Sequence, residues 1–487
     1  MPHSELRELV LTGQSDALRA YSATIALESD RIFASEALNL MAYLGESDFS
    51  AADSYQEALR YKYSKTPVES YIEQITSMAL TYIHFVYGRF DEARASANKA
   101  LTINAHPVEI EENDRLALKK VLAEIAYILD DYEELKKIYE EVSNGDHQDD
   151  KQQAHYFVNM IRALYEQSRG DFKLALQISE QNIETAKRHN YVGIAHALSS
   201  DIVRARALIS MAQPEKATEA LGGIQREAEK FRQWPWYFLA SGLTIRHLAI
   251  SNQMTEALAI VRSERDLIAT FTFKNSLGIF PDINELYVRY ILQDEERMEV
   301  LLNRVPELIL VKQLRAIHQE WQGKDLLDWI KALPDITPRE KLYKLVAFAD
   351  HYVDRESSAV EYAREALEVA EETHSIEFIL RQYKLSHVFM KAALISPTPF
   401  TENISRLIGE RIKINELNKK GALMDPLTNR ELEVVKHLAT GKPISSIAGT
   451  LHVSMNTMKT HLRNAYRKLE VDGRDSAVKK AKELFLI

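Results

Sequence analysis

Between residues 454 and 469 the chain sets out side chains whose types and spacing fit one chemistry, the reading of base-pair edges. Asn456, Lys459, Thr460, Arg463 and Arg467, advanced by ~100° per residue, project from one side of a helix. Met458, Leu462, Ala465 and Leu469 fall on the opposite side at i, i+4, i+7 and i+11. An apolar stripe facing a core, backed by cations and short hydrogen-bonding groups, suits the major groove of double-stranded DNA. Lys459 and Arg463 can donate to guanine edges or phosphates, and Thr460 can touch a thymine methyl; these three are the candidates for base contact. Asn456 and Arg467 flank them and are candidates for the DNA backbone. Ser454 and Thr457, near the helix start, are placed to meet phosphate oxygens. The residues alone leave open a solvated helix face with ordinary cations.

The elements needed to hold such a face are written around it. Thr428-Asn429-Arg430-Glu431 is a capping box that opens a helix with Leu432, Val435, Leu438 and Ala439 on one side. Gly441-Lys442-Pro443 ends that helix. Ile444, Ile447, Ala448 and Leu451 then give a short amphipathic helix, and His452-Val453-Ser454 turns the chain, with Ser454 capping the next helix. The order Leu427-Thr428-x-Arg430-Glu431-x-Glu433-Val434, Gly441, Ile447-Ala448, Leu451, Val453-Ser454, Thr457-Met458-Lys459-x-His461, Lys468-Leu469, Arg474 and Ala477 resembles the LuxR-type helix-turn-helix family. The resemblance covers about 60 residues. It implies a four-helix DNA reader over 425–487, with base contacts on Lys459, Thr460 and Arg463 and backbone contacts near Ser454, Thr457 and Lys468. It also implies that the last helix, from Asp475 to about Leu486, pairs subunits. Ser445-Ser446 stands where the family more often has Asn-Lys, which puts a phosphate contact there in doubt.

The rest of the chain is one unit used repeatedly. Tyr87-Gly88-Arg89-Phe90-Asp91-Glu92-Ala93 has counterparts whose last residues fall at 52, 93, 135, 175, 217 and 257, in steps of 41, 42, 40, 42 and 40. Met298, another 41 on, stands where a seventh would close, although Glu295 replaces the aromatic residue. In each unit a helix ends, a small or polar residue turns the chain, and an aromatic or proline plugs the corner. A small residue, most often alanine, then lets the second helix approach the first. Such a hairpin cannot bury its apolar face alone, so stacked neighbours must supply the core. The units resemble tetratricopeptide repeats, elongated beyond the usual ~34 residues, and are similar to the sensor region of MalT-like regulators. Regularity fails between about 304 and 339, at Pro306, Trp321, Trp329, Pro334 and Pro338. It returns at Ala359, Ala363 and Ala366, and a last helix is expected from Ile376 to Ile395. The expected fold is therefore all-α: a tetratricopeptide-like solenoid over 1–396, a linker with a helical segment over 397–424, and the helix-turn-helix domain over 425–487.

Composition agrees. Sixteen glycines and 13 prolines are about half the usual share, as a helical chain requires. The 27% charged and 46% hydrophobic content excludes global disorder. Net charge is −10, yet residues 424–487 hold 11 Lys and Arg against 7 Asp and Glu, which confines a nucleic-acid contact to the basic tail. Cysteine is absent, which removes disulfides, thiolate metal sites and cysteine nucleophiles. His147 and His155 fit no ligand spacing, so no metal or cofactor is expected. MalT-like relatives commonly carry an ATPase module, but Gly323-Lys324-Asp325 and Gly441-Lys442-Pro443 lack the glycines and hydroxyl of a phosphate loop. With no catalytic set in view, the chain is read as a non-enzyme.

One further cluster invites a ligand. Trp234, Trp236 and Tyr237, with Phe231 and Phe238, could hold a sugar or an apolar effector on a concave helical surface, or they could pack between repeats. Tyr55, Tyr61, Tyr63 and Tyr71 present the same choice. The expected function is a sequence-specific transcription regulator, an activator by family analogy, whose repeats sense a small-molecule or protein effector. The alternative is an interaction scaffold with a sequestered DNA-binding tail. The expected setting is a prokaryotic cytoplasm, associated with the nucleoid and not a membrane. The chain would act as a homodimer in contact with RNA polymerase. Acidic stretches near 111–114 and 368–372 are candidates to mask the basic face.

Overall fold

The computed structural model describes residues 8–9, 12, 14–24, 70–103, 112–145, 151–191, 198–250, 253–271, 275–419, 427–451, 453–469 and 471–483. Among them it contains 24 α-helices and no strand. The repeat unit ending at 52 and Tyr55, Tyr61 and Tyr63 lie outside the described residues, as does the side chain of Tyr71.

The hairpins follow from a turn that recurs at a fixed offset. Gly88, Asp130, Gly170, Ala212 and Gln293 all take left-handed φ values, from 55° to 100°. Each lies five residues before the residue that closes its unit. Those closing residues, Ala93, Leu135, Ala175, Ala217 and Met298, are at most 1% exposed. The seventh unit therefore forms even without its aromatic plug. Asp294 caps its second helix, accepting a hydrogen bond from Arg297 N at 3.2 Å. Three of the five turns place a side chain in the left-handed region, at a cost of about 1–2 kcal/mol each. Glycine stands at two turns where a later segment comes too close for a side chain. A Cβ at Gly88 would come within 2.5 Å of Leu277 Cδ2, and one at Gly170 within 3.1 Å of the Arg339 backbone.

These contacts show how the solenoid winds. The first helix of each hairpin packs on its partner and on the first helix of the next hairpin, so one continuous core runs from Met78 to Phe280. The winding is tight enough that helix Trp234–Ile250 returns to helix Ser70–Val86. Trp236 meets Phe85 there with ring centroids 6.0 Å apart. The irregular stretch holds helix Ile309–Trp321 and the five-residue helix Leu327–Lys331. Order resumes at Pro338, the first residue of helix Pro338–His351, under a capping box made by Thr337 and Glu340.

One expectation is corrected at the end of the solenoid. The helix expected from Ile376 to Ile395 is broken into Ile376–Leu380, a 3₁₀ turn at Tyr383–Leu385, and Ser386–Ile395. The break brings both Leu380 and Leu385 into one core with Leu367 and Phe389. The segment expected as a linker with a helical segment carries helix Pro399–Lys419. Its Ile404 and Ile408 are buried in that same core, so its first half is the closing helix of the solenoid.

Candidate nucleic-acid interface

The tail forms four helices, Asn429–Leu438, Ile444–Thr450, Met455–Leu469 and Arg474–Glu483. The first is started by the expected capping box. Thr428 N donates to Glu431 Oε2 at 2.8 Å, and Glu431 N donates to Thr428 Oγ1 at 3.2 Å. Val434, Leu438, Ile447, Ala448, Leu451, Met458 and Leu462 close one small core. Leu427, Val435, Ala465, Leu469, Ala477 and Ala481 close a second further along the same apolar stripe of the third helix. Two arginines tie the layers. Arg430 donates to the Leu451 carbonyl and pairs with Glu433 at 2.7 Å, locking the first helix to the end of the second. Arg474 donates twice to the Leu438 carbonyl, at 3.1 and 2.7 Å, locking the last helix to the end of the first.

The third helix carries the reading face. Its start is fixed by Ser454, whose Oγ accepts from Thr457 N at 3.1 Å and lies 2.8 Å from Thr457 Oγ1. Met458, Leu462, Ala465 and Leu469 are buried, as their spacing predicts. Thr457, Lys459, Thr460, Arg463 and Arg467 are exposed, and so is Ser454. Among the described residues neither Lys459 nor Arg463 makes an ion pair within the chain. Both cations are therefore available to a partner. Asn456 belongs to this helix, and its side chain lies outside what is described.

Lys468 departs from its expected place on the DNA backbone. Its Nζ sits 3.0 Å from Glu431 Oε2, with the Lys468 side chain 10% exposed. Burial alone would raise the Glu431 carboxyl. The Thr428 N–H and the Lys468 ammonium outweigh it and hold the pKa below the ordinary glutamate value. Lys468 is thus spent inside the domain, bracing the third helix against the cap of the first. The reading of residue types passed over another cation. Lys442 is exposed, two residues ahead of the second helix, and its place at that helix start was the signal available.

The aromatic cluster is corrected as an effector surface. Trp234 is 5% exposed and Trp236 0%. Trp234 packs on Phe271 with centroids 4.9 Å apart and on Tyr237 at 5.7 Å, while Trp236 closes the superhelical turn on Phe85. Of this cluster, Tyr237 and Phe231 are half-buried and the others buried. The acidic stretches differ from one another: Glu368 and Glu372 stay exposed, and the first stretch is partly covered. Asp114 is buried, Glu368 pairs with Arg364, and Glu371 accepts from Thr398 Oγ1 at 3.2 Å. Among the described residues no group of three His, Asp or Glu could hold a metal ion, and no helix is long and apolar enough to cross a membrane. His147 lies outside them.

A capped first helix, a short second, a turn at Ser454 and a third helix with its polar side outward define a helix-turn-helix DNA-binding domain. Residues 425–481 match the family of bacterial regulatory proteins, luxR family. The chain is thus a DNA-binding transcription regulator with a tetratricopeptide-like helical body, and the family it matches is regulatory rather than enzymatic. Over 85% of its length it is similar to the crystal structure of the APC/C hetero-tetramer Cut9-Hcn1, at 11% identity and a TM-score of 0.38, covering 70% of that chain. It is similar over the same share to the crystal structure of a Rap protein complexed with competence and sporulation factor, at 13% identity and a TM-score of 0.35, covering 96% of that chain.

Proposed function

We propose that this chain is a sequence-specific regulator, an activator by analogy with its family, in which the helical repeats sense an effector and the tail reads DNA. The observation that carries this is the outward face of Lys459, Thr460 and Arg463 on a capped, well-packed helix, with Lys459 and Arg463 making no ion pair among the described residues. Lys459, Thr460 and Arg463 would touch bases; Ser454, Asn456, Thr457, Arg467 and, in place of Lys468, Lys442 would touch phosphates. A reader with so few available cations neutralises few phosphates and binds weakly alone. Pairing two copies doubles those contacts, which favours a homodimer, and activation would further require a contact with RNA polymerase. The luxR-family match supports a prokaryotic, cytoplasmic, nucleoid-associated setting.

The test is genome-wide DNA occupancy in the source cell, with the wild type against a Lys459→Ala/Arg463→Ala double variant. Discrete peaks that disappear in the double variant are expected. Peaks that persist unchanged would remove these residues from the interface, and sequence-blind occupancy in both would favour a scaffold over a regulator.

A further inference from the structure

The inner row of the solenoid holds a cluster of arginines that DNA reading does not use. Arg206 and Arg246 occupy the same place in consecutive repeats, eleven residues ahead of the closing Ala217 and Ala257, and Tyr287 holds that place in the next. Arg381 joins them from the C-terminal repeats, because helices Leu198–Ser210 and Ile376–Leu380 pack together. Arg339 enters from helix Pro338–His351, with Nη1 3.1 Å from Asp130 Oδ1. Burial would raise the Asp130 carboxyl, but Arg339, Arg206 and Arg246 together hold it below the ordinary aspartate value. Three guanidinium groups thus gather around one carboxylate, which is already bonded to Arg339, and Arg381 joins the cluster beside Arg246.

The remaining three are held by rings rather than by anions. Arg206 lies 5.7 Å from the centroid of Tyr127 and donates to its hydroxyl at 3.0 Å. Arg246 lies 5.8 Å from the ring of Tyr287, and Arg381 lies 5.1 Å from that of Phe378. Arg246 and Arg381 each bury an Nε with no hydrogen-bond partner. Among the described residues neither makes an ion pair. Burial, with Arg206 and Arg381 nearby, pulls the Arg246 pKa down to about 10, so it stays cationic at neutral pH. Withdrawing an unpaired guanidinium from water is costly, and a ring satisfies only its face. The N–H edges are left over, and their fork matches the oxygens of a carboxylate or phosphate.

We propose that Arg206, Arg246 and Arg381 form a site for an oxyanion, carboxylate or phosphate, borne by the effector of the repeat region. This deepens the effector-sensing reading above and rests on it. An anion here bridges the middle repeats, which carry Arg206 and Arg246, to the C-terminal repeats, which carry Arg381. Occupancy therefore draws the two groups of repeats together by cancelling the repulsion between their cations.

Thermal unfolding of the full chain tests this, with inorganic phosphate or succinate against sodium chloride at matched ionic strength. Either oxyanion is expected to raise the midpoint saturably, by roughly 2–4 °C, and the stronger of the two identifies phosphate or carboxylate as the preferred group. Arg246→Gln and Arg381→Gln are each expected to weaken that binding roughly tenfold or more. In chloride alone Arg246→Gln should unfold at the same or a higher temperature, since a half-buried charge with no ion pair and a buried, unbonded Nε has been removed. A lower midpoint would make Arg246 a structural residue and overturn the site. So would the absence of any rise beyond chloride, or a rise that survives both substitutions. DNA affinity measured with and without the anion separates the two readings. Arg246-dependent binding that leaves DNA affinity unchanged upholds the site and overturns the effector-sensing role.

Discussion

Lys468 Nζ lies 3.0 Å from Glu431 Oε2, joining the last turn of the reading helix to the cap of the helix that opens the domain. One carboxylate therefore serves two elements, since the same oxygen accepts from Thr428 N. The candidate face is braced from behind by this ion pair.

Removing that carboxylate should loosen the domain as a whole. Glu431→Ala deletes half a capping box and strands a nearly buried ammonium, a loss of about 2–4 kcal/mol. Faster amide exchange across both 429–438 and 455–469 is expected, because the two helices share the bond. In the wild type the Glu431 pKa is depressed on folding, so its stabilisation is complete above pH ~4.5 and is lost as pH falls through the folded value. Glu431→Gln should flatten that acid limb. Exchange confined to the first helix would show that Lys468 contributes nothing.

The cations of the tail should separate into two kinds. Lys459→Ala or Arg463→Ala should cost about 1–3 kcal/mol at the preferred site and relax discrimination between bases. Lys442→Ala should weaken every duplex alike and lower the salt slope by about 0.9. Titrations on specific and scrambled duplexes at several salt concentrations give both readings. A uniform loss from Arg463→Ala would reassign it to the backbone.

What the sequence discloses and what it withholds divides along physical lines. The 40-to-42-residue period and the apolar stripe of the reading helix are local patterns. They predict the hairpins and the burial of Met458, Leu462, Ala465 and Leu469 directly. The fate of Lys468 depends on where a residue 37 positions earlier comes to rest, and no periodicity encodes that. Trp234 and Trp236 misled for the same reason. An aromatic run reads alike whether it faces a ligand or, as here, the ring of Phe85 one superhelical turn away. The burial of Ile404 and Ile408 is nearer to legible, since they stand at i and i+4.

Trp236 should accordingly matter to folding and not to recognition. Trp236→Ala opens a cavity where the superhelix closes on itself, at a cost of about 3–5 kcal/mol. The expected result is an earlier unfolding transition of the solenoid with the DNA affinity of the folded chain intact. Unchanged stability would mean that Phe85 and Trp236 are not the closing contact.

The turn residues offer a paired test of backbone strain. Gln293 takes φ 55° and is exposed, so Gln293→Gly should be neutral or stabilising by about 1 kcal/mol. Gly88→Ala should do the reverse. It adds a methyl 2.5 Å from Leu277 Cδ2 at φ 65°, and strain and clash act together. Denaturant midpoints of the two variants should move in opposite directions.

Glu264 supplies a pH signature of the middle repeats. It is 2% exposed, lies 3.4 Å from Asn284 Nδ2, and burial raises its pKa to about 7. Gly242 makes room for that amide, since a Cβ there would fall 2.7 Å from Asn284 Oδ1. A carboxyl whose folded pKa exceeds its unfolded value binds more protons in the folded state. Stability from this group therefore falls as pH rises from about 4.5 to 7, by on the order of 3 kcal/mol. Glu264→Gln keeps an oxygen for Asn284 and cannot ionise. It should match the wild type near pH 4.5 and exceed it at pH 8. Equal midpoints at pH 8 would mean that the carboxylate finds a counter-charge on ionising, with Arg265 the adjacent candidate.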